Sequence, residues 1–262
     1  MTRAHSIASL LIPLFVLTGT FPLDAASAAW PWKLGQEFRY IWLKGRQRVG
    51  ETRLAMVSVP HPGRPREKIV EIQATRDYDH AGMRQKAFGT THLKTDGTAL
   101  RFHERLSASL SSQEGKGALQ ETRFENREQT AWITYVHNGK EDRPIVRKHD
   151  FPNGTFLLGN QAIEHWLMLV AGLPKEFEKH TLAVYYPDHR RTFAVEFKKK
   201  KTVRRLKLGG RFVDATLYSF SSPDSVLSGK VWIKDRRLLQ LEFKAADLKI
   251  VLGKSTPIEP KK

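Results

Sequence analysis

The chain has 262 residues, 40% of them hydrophobic, which is enough to bury a core and argues against a wholly disordered protein. It contains no cysteine, which excludes disulfides, thiolate zinc sites and the lipid-modified cysteine of bacterial lipoproteins from this chain. The formal net charge of +17 favours anionic partners such as phospholipid head groups, lipopolysaccharide or acidic polysaccharide, although a general alkaline bias without a specific partner is the alternative.

Residues 1–28 have the features of a cleaved export signal. Arg3 is followed by an apolar run over residues 7–17, and Ala26-Ser27-Ala28 supplies the small residues at which a signal peptidase cuts. The run is shorter than the roughly 20 residues that span a bilayer, so an uncleaved anchor is disfavoured. We therefore expect cleavage near Ala28 and a periplasmic or secreted, soluble protein, for which nucleic acid is not an expected partner.

Most of residues 29–252 read as short alternating strands separated by turns. Three turn dipeptides are typical of β-hairpins, since they pair glycine with glycine, asparagine or aspartate at positions that need a positive φ. They are Asp96-Gly97, Asn138-Gly139 and Gly209-Gly210. The sequence predicts an all-β, mainly antiparallel protein, built as a curved meander sheet or half-barrel with one accessory helix.

The accessory helix is predicted over about residues 160–172. Asn160 is a suitable N-cap, and four apolar residues follow at helical spacing before Gly172 and Pro174 end the segment. They are Ile163, Trp166, Leu167 and Val170. This stripe is expected to pack on the concave face of the sheet in a single domain, although the helix could instead mark a boundary between two β domains. The proline- and lysine-containing tail, residues 253–262, is expected to be disordered.

A cluster of cations without any acid lies between residues 198 and 211. It comprises Lys198, Lys199, Lys200, Lys201, Arg204, Arg205, Lys207 and Arg211. On paired strands alternate members share a face, which predicts a positive ridge that could bind anionic lipid, lipopolysaccharide or envelope polysaccharide. The alternative is a solvated edge that prevents strand-to-strand aggregation.

Residues that could support catalysis or metal binding are few. Asp77, Asp79 and His80 crowd one segment, while His92 and His103 lie on facing strands of the Asp96-Gly97 hairpin. Counting from that turn pairs His92 with Arg101 and Thr90 with His103, so the imidazoles are offset. The Glu164-His165 pair lacks the spacing of a zinc helix, and His165 is interpreted as an ordinary residue of the polar helix face. We expect no metal, no cofactor and no catalytic residue.

Aromatic residues offer a second kind of site. They could line an apolar groove between sheet and helix that holds an acyl chain, or they could simply pack the core. The residues assigned to this groove are Tyr40, Trp42, Trp132, Trp166 and Val170.

Three stretches together resemble a bacterial family of exported proteins of unknown function whose β architecture is similar to the lipoprotein-carrier half-barrels. They are residues 38–43 continuing through 49–52, residues 94–102, and residues 229–233 continuing to 236–242. The resemblance implies an antiparallel sheet curled around a helix, and it implies no catalytic residues.

The favoured function is therefore that of a non-enzymatic envelope protein that binds an amphiphilic or anionic component, such as a lipid or a lipopolysaccharide-like molecule. The alternative is a structural or interaction protein of the envelope that acts through its basic surface. A metal-dependent hydrolase using the region of Asp77, Asp79, His80 and His92 is the least favoured of the three.

Overall fold

The computed structural model describes residues 31–94, 97–110, 118–138, 144–159, 162–187, 191–208, 210–223 and 227–257. The predicted export signal, Asn160 and the last five residues lie outside these ranges, and so does the side chain of Arg204. One residue of each predicted turn dipeptide, Asp96, Gly139 and Gly209, also lies outside them. Within them the elements are β1 (Gln36–Lys44), β2 (Gln47–His61), β3 (Arg64–His80), β4 (Met83–Leu93), β5 (Ala99–Leu110), β6 (Ala118–Arg127), β7 (Thr130–His137), β8 (Ile145–Asp150), β9 (Thr155–Leu157), α1 (Ile163–Ala171), β10 (Lys179–Tyr186), β11 (Arg191–Leu208), β12 (Arg211–Ser221), β13 (Ser228–Lys234), β14 (Arg237–Phe243) and β15 (Leu248–Pro257).

All fifteen described strands belong to one open sheet, in the order β8-β7-β6-β5-β4-β3-β2-β1-β15-β14-β13-β12-β11-β10-β9. Neighbouring strands are antiparallel except for the short β9, which runs parallel to β10. The sheet is thus two meanders joined where the first strand pairs with the last. The predicted fold class, an antiparallel meander with one helix, is confirmed.

The three predicted turn regions each connect paired strands. β4 pairs with β5, β7 with β8 and β11 with β12. Gly97 and Gly210 have φ angles of 88° and 87°, the left-handed conformation that glycine adopts without steric cost. The register of the first hairpin pairs His92 with Arg101 and Thr90 with His103, as predicted.

The sheet curves around α1 so far that its two edges approach each other. The Tyr135 hydroxyl on β7 donates to the carbonyl of Pro187 just after β10, at 3.0 Å. Beside this bond the ring of Phe151 packs against Phe124 on β6, 5.2 Å between centroids, and against Tyr185 on β10, at 6.1 Å. All nine residues of α1 are buried as a result. We call the face of the sheet that packs on α1 the inner face.

Both ends of α1 differ in detail from the prediction. The N-cap is Ala162, which has no capping side chain, and the helix starts at Ile163. At the other end Gly172 follows the last helical residue, and its N–H donates to the carbonyl of Met168 at 2.9 Å. A Cβ at Gly172 would lie 2.2 Å from the ring of Phe156, so this glycine is required by the close approach of β9 rather than by its φ angle.

Two further expectations are wrong. The tail is not disordered over residues 253–257, because β15 continues to Pro257 and pairs there with Gln36, Glu37 and Phe38 at the start of β1. His165 does not lie on a polar helix face, since it is fully buried. All nine residues of α1 are buried, and so the helix has no polar face in water.

A second, smaller hydrophobic cluster lies on the outer face of β11 to β15. It consists of Leu208, Ala215, Leu217, Trp232 and Leu239. Ala215 and Leu217 of β12 belong to it, whereas Tyr218 and Phe220 belong to the main core, as the two-residue period of a strand requires. Leu206 and Val213, close to the β11–β12 turn, pack against this outer cluster.

Candidate functional site: an apolar pocket and two charged regions

A pocket of about 200 Å³ lies between the N-terminal end of α1 and strands β13 to β15. Its walls are mainly aromatic and aliphatic, and include Trp42, Trp166, Tyr186, Phe243 and Leu248. The segments Leu158-Gly159, Leu227-Ser228 and Ala245-Ala246 complete it. The structure thus contains an apolar pocket between sheet and helix.

The two tryptophans of the pocket are held rigidly. Trp42 is fully buried on β1, and its Nε1–H donates to the hydroxyl of Thr52 on β2 at 2.9 Å, so its polar atom is satisfied. Trp166 on α1 packs against Phe220 and Phe243, with ring centroids 4.8 and 5.5 Å away. These contacts leave apolar ring surface facing the pocket without an unpaired indole N–H at Trp42.

The predicted groove residues do not all meet at this pocket. Trp42 and Trp166 line it, whereas Tyr40 and Val170 are fully buried in the core and are not among its lining residues. The Tyr40 hydroxyl donates to the carbonyl of Leu238 at 2.9 Å. Trp132 lies on the outer face, because Ala131 and Ile133 take the inward positions of β7, and its ring packs against Arg127 and Lys148.

Exposed cations adjoin the residues that line the pocket, although none of them lines it, and they were not foreseen from the sequence. Lys44 is exposed, lies two residues after Trp42 on the same face of β1, and pairs in register with Leu248 of the pocket wall. Arg46 in the next turn and Lys244, between Phe243 and Ala245, are also exposed, together with Asp247. The alternation Tyr40-Trp42-Lys44 is the signal that could have identified Lys44, since residues two apart in a strand share a face.

The predicted positive ridge on β11 is divided between the two faces. The register between β11 and β12 shifts between Lys199 and Lys201, and again between Val203 and Leu206. Lys201 is therefore opposite Leu217 on the outer face, while Lys199 is opposite Tyr218 on the inner face and forms an ion pair with Glu178 at 2.6 Å. Each bulge inserts a residue and reverses which side chains share a face.

The turn at the end of the basic segment lies far from the pocket. The pocket wall includes Leu227 and Ser228, and Ser228 pairs with Ser221 at the C-terminal end of β12. The turn that joins β11 to β12 adjoins Arg211, at the other end of the same strand. The pocket and the basic hairpin turn thus occupy opposite ends of β12.

A buried polar cluster lies beneath α1, next to the pocket wall. Arg76 on β3 forms an ion pair with Glu104 on β5 at 3.1 Å. Glu164 of α1 is close enough to this pair to feel both charges, and neither of its carboxylate oxygens has a hydrogen-bond partner among the described residues. Burial, partly opposed by the charge of Arg76, raises the pKa of Glu164 to about 7.

The pKa of His165 is shifted in the opposite direction from that of Glu164. Burial, assisted by the positive charge of Arg76, lowers the pKa of His165 to about 3, so the imidazole is neutral at physiological pH. The backbone N–H of Gly159 donates to His165 Nδ1 at 2.7 Å, which places the ring proton on Nε2. The ring also packs edge-on against Phe102, 4.5 Å between centroids. His165 therefore holds the N-terminal end of α1 against the segment that lines the pocket.

Three of the residues considered for metal binding, His92, His103 and Asp77, each contact a different partner. His92 Nε2 lies 2.8 Å from Glu71, and His103 Nε2 lies 2.8 Å from Glu121. Asp77 faces Arg84 at 3.7 Å. In the part of the chain that the structure describes, no group of three or more His, Asp or Glu side chains is arranged to hold a metal ion. None of the described helices combines the length and hydrophobicity needed to cross a membrane.

No family model matches the chain, and no curated protein matches it. A structure of a candidate lipoprotein from Parabacteroides distasonis ATCC 8503 is 10% identical, with a TM-score of 0.30, over 87% of this chain and 97% of the other. A candidate exported protein with a YmcC-like fold from Bacteroides fragilis NCTC 9343 is 7% identical, with a TM-score of 0.29, over 87% and 98%. The chain is thus similar to both along most of its length, at TM-scores too low to establish a common fold.

Proposed function

We propose that the protein is an exported, non-enzymatic envelope protein that binds a small anionic amphiphile. The apolar part of the ligand occupies the pocket beside Trp42 and Trp166, and its charged group lies at the mouth near Lys44. The observation that carries this proposal is the combination, at one end of the sheet, of an apolar pocket and exposed cations. The net charge of +17 likewise favours an anionic ligand.

The volume of the pocket limits the ligand. Pockets that hold drug-sized molecules usually measure about 300–1,000 Å³. At about 200 Å³ this pocket accommodates one short apolar segment, such as the end of a single acyl chain, rather than a complete two-chain lipid. A single-chain amphiphile is therefore the best match.

The arrangement of polar groups sets the orientation of the ligand. Trp42 already donates its indole N–H to Thr52, so this side chain offers no hydrogen bond to a head group inside the pocket. Lys44, Arg46 and Lys244 are at the mouth, with Asp247 as the acid among them. An amphiphile bound tail-inward would place its anionic group beside these cations, which remain in water and need not be desolvated.

Calorimetric titration of the purified protein with dodecanoate and with dodecanol tests this proposal. We expect both probes to bind, and Lys44→Gln to weaken dodecanoate about fivefold, the usual effect of one cation near an anionic head group, without changing dodecanol. Ala246→Trp, at the exposed mouth, should block both by filling the pocket. The matched control is Lys148→Gln, which removes an equivalent cation on the outer face.

The result that would contradict the proposal is equally specific. Absence of dodecanoate binding by the wild-type protein would overturn it, as would an equal loss in Lys44→Gln and Lys148→Gln. Far-ultraviolet circular dichroism of each variant verifies that the sheet is intact, so a loss of binding is not confused with a loss of fold.

A further inference from the structure

The hairpin that joins β11 to β12 ends in an exposed aromatic residue. Phe212 has 64% of its surface exposed, the largest fraction among the large hydrophobic side chains that the structure describes. It pairs in register with Lys207, and Arg211 pairs with Leu208 across the same turn. The cross-strand neighbours of this turn therefore combine an aromatic ring with two cations.

The end of this hairpin is held in place by its other face. Leu206 and Val213, a register pair, pack against the outer hydrophobic cluster, to which Leu208 belongs. Phe212 and Lys207 point the opposite way and have no part in that packing. The exposed ring of Phe212 is thus presented by a fixed scaffold and contributes nothing to the described hydrophobic clusters.

The hairpin that carries Phe212 has a large excess of positive charge. Three exposed cations lie near the turn, namely Arg205, Lys207 and Arg211, and none of them forms an ion pair with a described residue. Lys198, Lys200 and Lys201 are also exposed, but they lie further along β11, opposite the part of β12 from Leu217 to Ser219. The nearby acids are few and already engaged: Glu178 pairs with Lys199, Glu196 with Lys179, and Asp214 accepts the backbone N–H of Arg205 at 3.2 Å.

We propose that the β11–β12 hairpin attaches the protein to an anionic lipid surface. Phe212 enters the interface between head groups and acyl chains, and the cations nearest the turn, Arg205, Lys207 and Arg211, contact lipid phosphates. Positive charge alone would suit an acidic polysaccharide equally well. The exposed ring of Phe212 decides for a lipid surface, because an aromatic ring gains by leaving water in a bilayer interface and gains little on a hydrated polysaccharide.

This attachment is independent of the amphiphile pocket. The hairpin turn and the pocket lie at opposite ends of β12, and no residue is shared between them. Dodecanoate titration without vesicles reports only on the pocket, and vesicle binding of pocket-blocked Ala246→Trp reports only on the hairpin. Failure of one proposal is therefore distinguishable from failure of the other.

Co-sedimentation of the full chain with vesicles provides the test. The vesicles contain equal parts of phosphatidylglycerol and phosphatidylcholine, or phosphatidylcholine alone. We expect binding to the anionic vesicles only, decreasing with salt. Phe212→Ser should weaken it about tenfold through the loss of the buried ring, and Lys207→Gln with Arg211→Gln about thirtyfold through the loss of two cations. Phe88→Ser, which replaces another ring that is half exposed, is the matched control and should leave binding unchanged.

Three outcomes would overturn the proposal. One is absence of binding to the anionic vesicles, and another is an equal effect of Phe212→Ser and Phe88→Ser. The third is binding of alginate, an acidic polysaccharide, as tight as that of the vesicles, with neither changed by Phe212→Ser. This last result would assign the surface to polysaccharide.

Discussion

Glu164 and His165 are neighbours in the sequence, are both fully buried, and have pKa values displaced in opposite directions by the same cause. Burial disfavours the charged form of each, so Glu164 is retained as the acid and His165 as the neutral base. Arg76 and Glu104, packed from β3 and β5, form an ion pair and so leave little net charge to compensate either group. The two residues consequently make opposite contributions to stability as the pH changes.

Whether each group adds or loses stability as the pH rises depends on which state, folded or unfolded, binds its proton more tightly. The folded protein holds the Glu164 proton up to a pKa of about 7, against an ordinary value of 4.5, so this stabilisation is complete below pH 4.5 and is lost as the pH rises towards 7. The pKa of His165 falls to about 3, against 6.5, so its contribution is complete above pH 6.5 and is lost as the pH falls. Between pH 4.5 and 6.5 the two groups change the free energy of unfolding with pH by equal and opposite amounts.

Replacing one of the two residues should reveal how the other makes the free energy of unfolding depend on pH. We expect the free energy of unfolding of Glu164→Gln, relative to the wild type, to increase by about 1.4 kcal/mol for each pH unit between 4.5 and 6.5. His165→Gln should show a decrease of similar size. Urea unfolding at pH 4.5, 5.5 and 6.5 measures both, and the other ionisable groups cancel in the difference. Parallel pH profiles for all three proteins would show that neither group is buried in its uncharged form.

Strand β13 lies so close to its neighbours β12 and β14 that one of its positions cannot hold a side chain. At Gly229 on β13, a Cβ would lie 1.9 Å from the carbonyl oxygen of Glu242 on β14 and 2.6 Å from the ring of Phe220 on β12. One of those obstacles is backbone, which cannot rotate away. Gly229 is thus fixed by packing on both of its neighbouring strands.

Gly229→Ala should therefore destabilise the protein strongly. Forcing an extra carbon into a packed site costs about 1–3 kcal/mol or more, which corresponds to a fall of several degrees in Tm for a chain of this size. The control is Gly63→Ala in the β2–β3 turn, where the nearest atoms lie 3.8 Å away and φ is not positive. Differential scanning calorimetry compares the two, and an equal Tm for both variants would show that β13 can shift to accept the methyl group.

The elements that the sequence predicts correctly are those whose signal is local. The hairpin turns depend on adjacent residues such as Asp96-Gly97 and Gly209-Gly210, and the helix on a spacing visible within ten residues. The bulges on β11 are not visible in this way, because a register shift depends on the partner strand. The burial of His165 was missed for a related reason: a helix of nine residues shows its environment only after distant strands have folded around it.

The two halves of the sheet are joined by a pairing between the two strands that are farthest apart in the sequence. β1 and β15 are neighbours in the middle of the sheet, and Gln36 is paired with Pro257. No local pattern could have predicted this contact, and the expectation of a disordered tail was wrong over residues 253–257 for that reason. Closing a loop of such sequence separation costs conformational entropy, which predicts slow folding for a protein of this size.

The proximity of Gln36 and Pro257 permits a circular permutation. We expect a permutant that joins the two ends by a short glycine-serine linker, and opens the chain in the exposed β2–β3 turn at Gly63, to give the circular dichroism spectrum of the parent. Its Tm should lie within a few degrees of the parent value. A permutant opened within β1 at Tyr40 serves as the control and should not fold. Equal folding of the two permutants would contradict the central position of β1.

The separation of the hairpin turn from the pocket has a geometric consequence. β12 has eleven residues, so its ends are roughly 30 Å apart. A molecule standing on a leaflet through Phe212 would hold the mouth near Lys44 well beyond the head groups, facing the aqueous compartment. Cargo would then arrive and depart through water, as dispersed monomers or from a diffusing donor, instead of sliding sideways out of the bilayer that anchors the protein.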